Sequence, residues 1–413
     1  MSNAKLTGVL AGCVLLLGAT CAQAQDWPQW RGTNRDNKVA GFTAPKEWPK
    51  ELTKKWSVKV GDGDASPVLV GDKLYVFTRE GGDEVLRCLD AAKGEEKWKE
   101  KYPAQAVSGA ASRHPGPRST PAVADGKICT FGVGGYLCCR DAATGKELWK
   151  KDTKAWPGFF TSASPVIVDG KCVVFLGKMG AGALTAFDLA SGEEKWKWTD
   201  EAPSYGSPVL MTVDGTKMLI TLAQKSRMEG SLVGVNVADG KVLWKVPFNA
   251  SYNSGTPVID GQRVICSGPN QGTVAYKIEK KDDGFNAKEV WKQAKSPAGI
   301  YNTPVLKDGL LFGLSSTSPR EAPTNFYCLD AKSGEPLWAD DTRRGACGTV
   351  LDAGTVLIAL SSNGDLIVFK PSKEKFEEVA KYKVGDAPWT YPVIAGNRVF
   401  VKDKDSVILW TID

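Results

Sequence analysis

The chain has 413 residues, 24% of them charged and 42% hydrophobic, and carries a formal net charge of +6. The lysines are scattered, with no Arg/Lys-rich run or basic helix, which argues against nucleic-acid binding. One histidine and no Cys-x-x-Cys pair argue against a zinc site. Beyond the first 24 residues no long apolar run remains, so no transmembrane segment is expected in the mature protein.

Residues 1–24 read as a signal peptide. Lys5 precedes an apolar run from Leu6 to Thr20, and Ala22-Gln23-Ala24 offers small residues at both positions a signal peptidase reads. Cleavage after Ala24 places the mature chain in the periplasm, the cell envelope or the medium. Leu10-Ala11-Gly12-Cys13 has the form of a lipoprotein box, but few apolar residues precede it and the apolar run continues beyond it. Residues 25–51 form an irregular arm, whose Trp27-Pro28-Gln29-Trp30 has enough apolar area to pin it against a larger body.

Residues 52–413 are organised by a repeat. Cys139 to Trp149 reads as strand, turn and strand, with Asp141, Gly145 and Trp149 four residues apart. Glycine suits the turn because the closing residue takes φ > 0. The same spacing recurs at Asp90/Gly94/Trp98, Asp188/Gly192/Trp196, Asn236/Gly240/Trp244 and Asp330/Gly334/Trp338. Successive tryptophans lie 51, 47, 48 and 94 residues apart, and Trp291 falls midway in the last gap, beside a degraded hairpin. A second marker opens each unit: Ser66-Pro67, Thr120-Pro121, Ser164-Pro165, Ser207-Pro208, Thr256-Pro257, Thr303-Pro304 and Tyr391-Pro392, with Gly348-Thr349 filling the eighth slot. Proline is tolerated where a strand begins and no ladder N–H is required. A period near 47 residues built of short strands predicts an all-β, eight-bladed β-propeller with four strands per blade. The last repeat supplies only three strands, so the strand around Trp56 is expected to complete it and close the ring. A monomer is expected.

Eight cysteines remain after the signal peptide. Cys88, Cys139 and Cys328 occupy a slot that other repeats fill with Ala186 or Gly234, and Cys129, Cys172 and Cys266 lie among aliphatic residues. They read as small buried hydrophobes rather than disulfides or metal ligands.

The Asp-x-x-x-Gly-[Lys/Glu]-x-x-Trp repeat resembles that of quinoprotein-type propellers. That family comprises the PQQ-dependent alcohol dehydrogenases and a larger set of PQQ-like repeat proteins, including the lipoprotein of the outer-membrane barrel-assembly machinery. The resemblance implies that Trp98, Trp149, Trp196, Trp244, Trp291 and Trp338 are structural residues that tie neighbouring blades together. It also implies where a site would lie: in the dehydrogenases PQQ sits in a funnel over the ring centre with bound Ca²⁺, and some place a disulfide between adjacent cysteines against it. Cys138-Cys139 is such a pair, but neighbours in a strand point to opposite faces.

Ligands at the mouth come from the loops ahead of each Pro step. Three residues before that proline position stand Asp64, Arg118, Ser162, Tyr205, Ser254, Tyr301, Ala346 and Trp389: one acid in eight. A Ca²⁺ site needs several converging oxygen ligands, so no metal and no cofactor is expected, and PQQ with Ca²⁺ belongs only to an alternative reading as a quinoprotein dehydrogenase. The mouth is instead rich in aromatic and arginine residues, the usual composition of a binding surface: Tyr205, Tyr252, Tyr301, Trp389, Arg113, His114, Arg118 and Arg343, with Trp156, Phe159, Phe160, Tyr391 and Arg344 nearby. No catalytic residue is assigned. The expectation is an exported binding or scaffold propeller that takes a protein segment or an anionic small molecule at this mouth.

Overall fold

The repeat works first as a local structure. In the hairpin that follows Asp141, the carboxylate oxygen Oδ1 accepts hydrogen bonds from Ala143 N, Thr144 N and Thr144 Oγ1 at 2.8–3.1 Å. Gly145 closes the turn by donating to Asp141 O at 2.9 Å, with φ +77°. Asp188 and Asp330 organise their own turns in the same way. This is why an acid and a glycine recur four residues apart: the acid satisfies the turn's N–H groups and only glycine takes the left-handed closing position without strain.

The computed structural model describes residues 25–226, 229–250, 254–268, 270–282, 284–316 and 324–413. The expected signal peptide and Tyr252 lie outside the described residues. Eight antiparallel sheets form the eight blades of a propeller. Blade 1 runs outward from the axis as Val68–Val70, Lys73–Glu80, Asp83–Asp90 and Glu96–Pro103. Blades 2 to 7 repeat this order, and blade 4 adds the two-residue strand Ala202–Pro203. Blade 8 takes three strands from the C-terminal end, Val393–Ala395, Arg398–Lys402 and Ser406–Thr411, and its outer strand, Thr53–Lys59, from the N-terminal side. That pairing closes the ring and removes the two free edges an open array would leave.

Third strands are buried almost throughout, as in Asp83–Asp90, while outer strands alternate, as in Glu96–Pro103. This is the pattern expected when each sheet is covered on both faces except at its rim. Among the described residues there is one short 3₁₀ turn, Gly109–Arg113, and no helix long and apolar enough to cross a membrane.

The indoles lie between blades. A Cβ placed on Gly145 would come within 2.7 Å of Trp98, on Gly192 within 2.7 Å of Trp149, on Gly240 within 2.6 Å of Trp196 and on Gly334 within 2.4 Å of Trp291. In each case the tryptophan of one blade covers the turn glycine of the next. Trp56 covers Gly94 and so extends the pattern across the closure. The indole N–H groups of Trp149 and Trp196 donate to Leu189 O and Val237 O, both at 3.0 Å. Trp244 departs from this arrangement. Blade 5 lacks the Asp-x-x-x-Gly hairpin, and Trp244 turns back on its own blade, against Gly234 and with Nε1 3.3 Å from Met218 Sδ.

All eight described cysteines are buried free thiols. Cys139 Sγ faces blade 3, 3.7 Å from Leu189 O, whereas Cys138 Sγ lies 3.9 Å from Glu147 Oε2. The adjacent pair therefore points to opposite sides of its strand, away from the axis. Burial pushes the Cys138 thiol up to about 12.

Candidate functional site

Successive strands of a blade are antiparallel, so the turns between second and third strands and the loops between blades share one face of the ring. The Ser/Thr-Pro steps bring the chain from that face into the inner strands, and their hydroxyls link the blades. Ser66 N donates to Thr120 Oγ1, Thr120 N to Ser164 Oγ, Ser164 N to Ser207 Oγ, Ser207 N to Thr256 Oγ1 and Thr256 N to Thr303 Oγ1, all at 2.9–3.1 Å. Tyr391 N closes the circle on Ser66 Oγ at 2.8 Å. Blade 7, which has no hydroxyl in this slot, is linked through Gly348 N to Asn302 Oδ1 at 3.1 Å. The proline is thus one half of the marker. The preceding hydroxyl is the other, and it stitches neighbouring inner strands around the axis.

Above this circle the longest inter-blade loop, residues 104–118, folds over blades 1 and 2. Arg79 Nη1 holds it through Gln105 O and Pro115 O at 2.9 and 3.2 Å, and Asp64 N and Ala65 N bind Pro117 O. The loop carries His114, whose Nδ1 lies 2.9 Å from Asp64 Oδ2 and whose ring centroid is 4.4 Å from that of Trp389. Tyr301 meets Trp389 edge-on at 5.8 Å. Asp64, His114, Trp389 and Tyr301 therefore come together from four separate loops.

Arg118 is engaged with backbone carbonyls of two loops. Its guanidinium donates to Phe159 O, to Ala111 O at 3.2 Å and to His114 O at 2.8 Å, clamping the 104–118 loop to the next loop. Burial lowers its pKa, opposed by the Asp64 carboxylate. Phe159 N in turn donates to Tyr205 Oη at 3.1 Å. Arg113 and Arg343 are exposed. Arg344 is buried, paired with Asp340 at 2.5 Å and stacked over Phe326 and Phe376 at 4.3 and 4.8 Å, so it serves packing. On this face Phe159, Met179 and Tyr301 stay 39%, 48% and 47% exposed, and together they give it an apolar surface.

Lys402 was not singled out from the sequence. It is fully buried where blade 8 meets blade 1, and its ammonium donates to Gly63 O, Asp403 O and Lys404 O at 2.7–3.2 Å. Burial lowers its pKa to about 8, with Asp64 the largest opposing charge.

The opposite face is closed by the N-terminal arm. Trp27 is 2% exposed and pairs with Leu69 through both backbone groups, Val123 N donates to Pro28 O, and Val39 N and Asn37 O bond Asp352. From there the arm enters the ring. Arg35 donates to Pro208 O at 2.8 Å, Pro165 O at 3.0 Å, Ser164 O at 3.4 Å and Gln29 Oε1 at 3.0 Å. Arg31 donates to Pro304 O at 3.0 Å, and Asn37 to Val350 O at 2.9 Å. Both guanidiniums lie over the Trp30 ring, at 5.4 and 5.6 Å, and Trp30 packs edge-on against Tyr391. The carbonyls that Arg31 and Arg35 reach belong to the Ser/Thr-Pro steps, so the arm fills the axis up to the base of the mouth.

A family model described as outer membrane protein assembly factor BamB matches residues 82–340. The chain belongs to this family. BamB of Burkholderia pseudomallei is 24% identical over 367 residues, covering 86% of each chain. A quinohemoprotein alcohol dehydrogenase of Comamonas testosteroni is 28% identical over 193 residues, which cover 44% of this chain and 26% of that protein. The crystal structure of BamB from Moraxella catarrhalis superposes with a TM-score of 0.62 at 16% identity, over 87% of this chain and 99% of that one, and so shares its fold.

A Ca²⁺–quinone centre does not fit these residues. Asp64 is engaged by His114, and no cluster of three or more metal-ligating side chains occurs among the described residues. The axis beneath the mouth holds two guanidiniums, which repel a divalent cation.

Proposed function

We propose that this protein is a non-catalytic binding propeller whose mouth receives an extended segment of a partner protein. The observation that carries the reading is the asymmetry of the two faces. One is sealed by the protein's own arm, while the other presents Phe159, Met179 and Tyr301 at 39–48% exposure, with Tyr301 edge-on to the partly buried Trp389. Exposed aromatic and apolar side chains on fixed loops are the anchors that protein interfaces use. Membership in the outer membrane protein assembly factor family supports a partner drawn from envelope assembly. The signal peptide read from residues 1–24 agrees with that location.

The test is site-specific photo-crosslinking in the native host, with the probe at position 159 or 301 and a control at Leu148, which is 42% exposed on an outer strand. Adducts with outer-membrane assembly proteins at positions 159 and 301 but not 148 are expected. Equal labelling at the rim refutes the mouth as the site. In parallel, the purified protein incubated with PQQ and Ca²⁺ is expected to leave an electron-acceptor dye unreduced with alcohols and sugars.

A further inference from the structure

The arm places two arginines in a dry site without a matching acid. Arg31 and Arg35 are 1% and 2% exposed. Among the described residues no carboxylate oxygen lies within 4.0 Å of either guanidinium. Burial is the main cost to the Arg31 charge, opposed first by Tyr391 and then, at longer range, by Asp36, half-buried on the same arm, and the charge of Arg31 adds to the cost of burying Arg35. Buried charges in proteins are paired or fully hydrogen-bonded, because desolvation is otherwise uncompensated. Arg35 comes near to meeting that rule through three backbone carbonyls and Gln29. Arg31 does not: it has Pro304 O, while its buried Nε has no partner. Asn37 Oδ1 on the same arm and Thr349 Oγ1 in the proline slot of blade 7 are also buried without partners.

Arg31, Arg35 and Asn37 all take left-handed conformations, with φ of +63°, +59° and +62°. Such conformations persist in non-glycine residues only where their surroundings hold them. Here the surroundings are carbonyl oxygens that satisfy Arg35 but leave one guanidinium nitrogen of Arg31 open.

We infer that the axis of the ring, at Arg31 and beside Arg35, binds a small oxyanion, of the phosphate or carboxylate class. A guanidinium presents parallel N–H donors that match an oxyanion's two oxygens. An anion there answers the orphaned Nε and offsets the paired positive charge. Both arginines are closed off from solvent, so the anion is a structural occupant taken up as the arm docks, not cargo exchanged at the mouth. Occupancy of the axis is independent of what binds at the mouth, and either can fail without the other.

Because the site is closed, the assay reads unfolding of the mature full chain rather than diffusion into the folded protein. Urea and thermal unfolding are followed in a buffer whose only other anion is bulky MES. Inorganic phosphate or acetate is titrated in at constant ionic strength. A saturable rise in stability with either ion is expected, and comparing the two tells phosphate from carboxylate preference. Arg31→Gln should weaken that dependence at least tenfold in ion concentration. Should Arg31→Gln not fold, Arg31→Lys keeps the charge without the fork and should show the same tenfold loss. No saturable stabilisation by either ion, or an unchanged dependence in the variant that folds, overturns the inference.

Discussion

Gly192→Ala separates what the turn requires from what the neighbouring indole requires. Gly192 has φ +74°, and a Cβ there would lie 2.7 Å from two ring carbons of Trp149, which is itself 8% exposed. Gly170, in the innermost turn of the same blade, has φ +68° and nothing within 4 Å of the added atom. A left-handed conformation costs alanine about 1–2 kcal/mol at either site. Only Gly192→Ala also pushes on a buried indole, and overpacking of that kind costs about 1–3 kcal/mol more. The indole would also be drawn away from Leu189 O, the acceptor of its 3.0 Å hydrogen bond, at about 1 kcal/mol. Gly192→Ala should therefore lose about 3–6 kcal/mol and Gly170→Ala about 1–2 kcal/mol. Urea unfolding followed by tryptophan fluorescence and by far-UV circular dichroism measures both. Equal losses in the two variants would mean that the indole–glycine contact contributes nothing to stability.

Lys402 gives a pH signature. Its folded pKa of about 8 lies below the 10.5 of an exposed lysine. Between those values the unfolded chain holds a proton that the folded chain has released, so stability rises with pH through that window and the cost of the buried charge is present in full below pH 8. The gain approaches about 3 kcal/mol, and Lys402→Met should flatten the slope of unfolding free energy between pH 8 and 10 relative to the parent protein. Trp27→Ala, which empties a buried position at the root of the arm, should cost about 3–5 kcal/mol in urea unfolding and make the arm cleavable by added protease. Tyr301→Ala with Trp389→Ala should abolish crosslinking from position 159 and leave the unfolding midpoint within about 0.5 kcal/mol of the parent, provided these partly exposed rings serve recognition. Arg118→Ala should loosen the 104–118 loop, seen as faster hydrogen exchange there, since its three carbonyl partners lose their donor.

The blades were legible because their causes are local. An acid that caps its own turn, a glycine at positive φ and a tryptophan four residues on are set by a few adjacent residues, so they recur with the period of the chain. Even the exception at Trp244 has a readable source, in the blade 5 hairpin that lacks the acid and glycine. Closure by the Trp56 strand followed from counting strands. The mouth was legible only as a composition. Arg118, Arg113 and Arg343 look alike in sequence, yet one clamps two loops and two face solvent, because the difference lies in how the 104–118 loop folds back on itself and against a carbonyl of the next loop. The Ser/Thr before each proline was visible as a marker, but its bond to the next blade exists only once the inner strands stand side by side.

The amino-acid sequence by itself determined the repeat, the number of blades and the strand that locks the ring, since short-range turn chemistry and regular spacing suffice for these. Only the tertiary structure decided what occupies the centre. Arg31 and Arg35 sit in an arm outside the repeat, and their acceptors in the ring are backbone oxygens 129 to 273 residues away. Backbone carbonyls carry no residue-specific trace in a sequence, and they converge on one axis only when eight blades have closed around it.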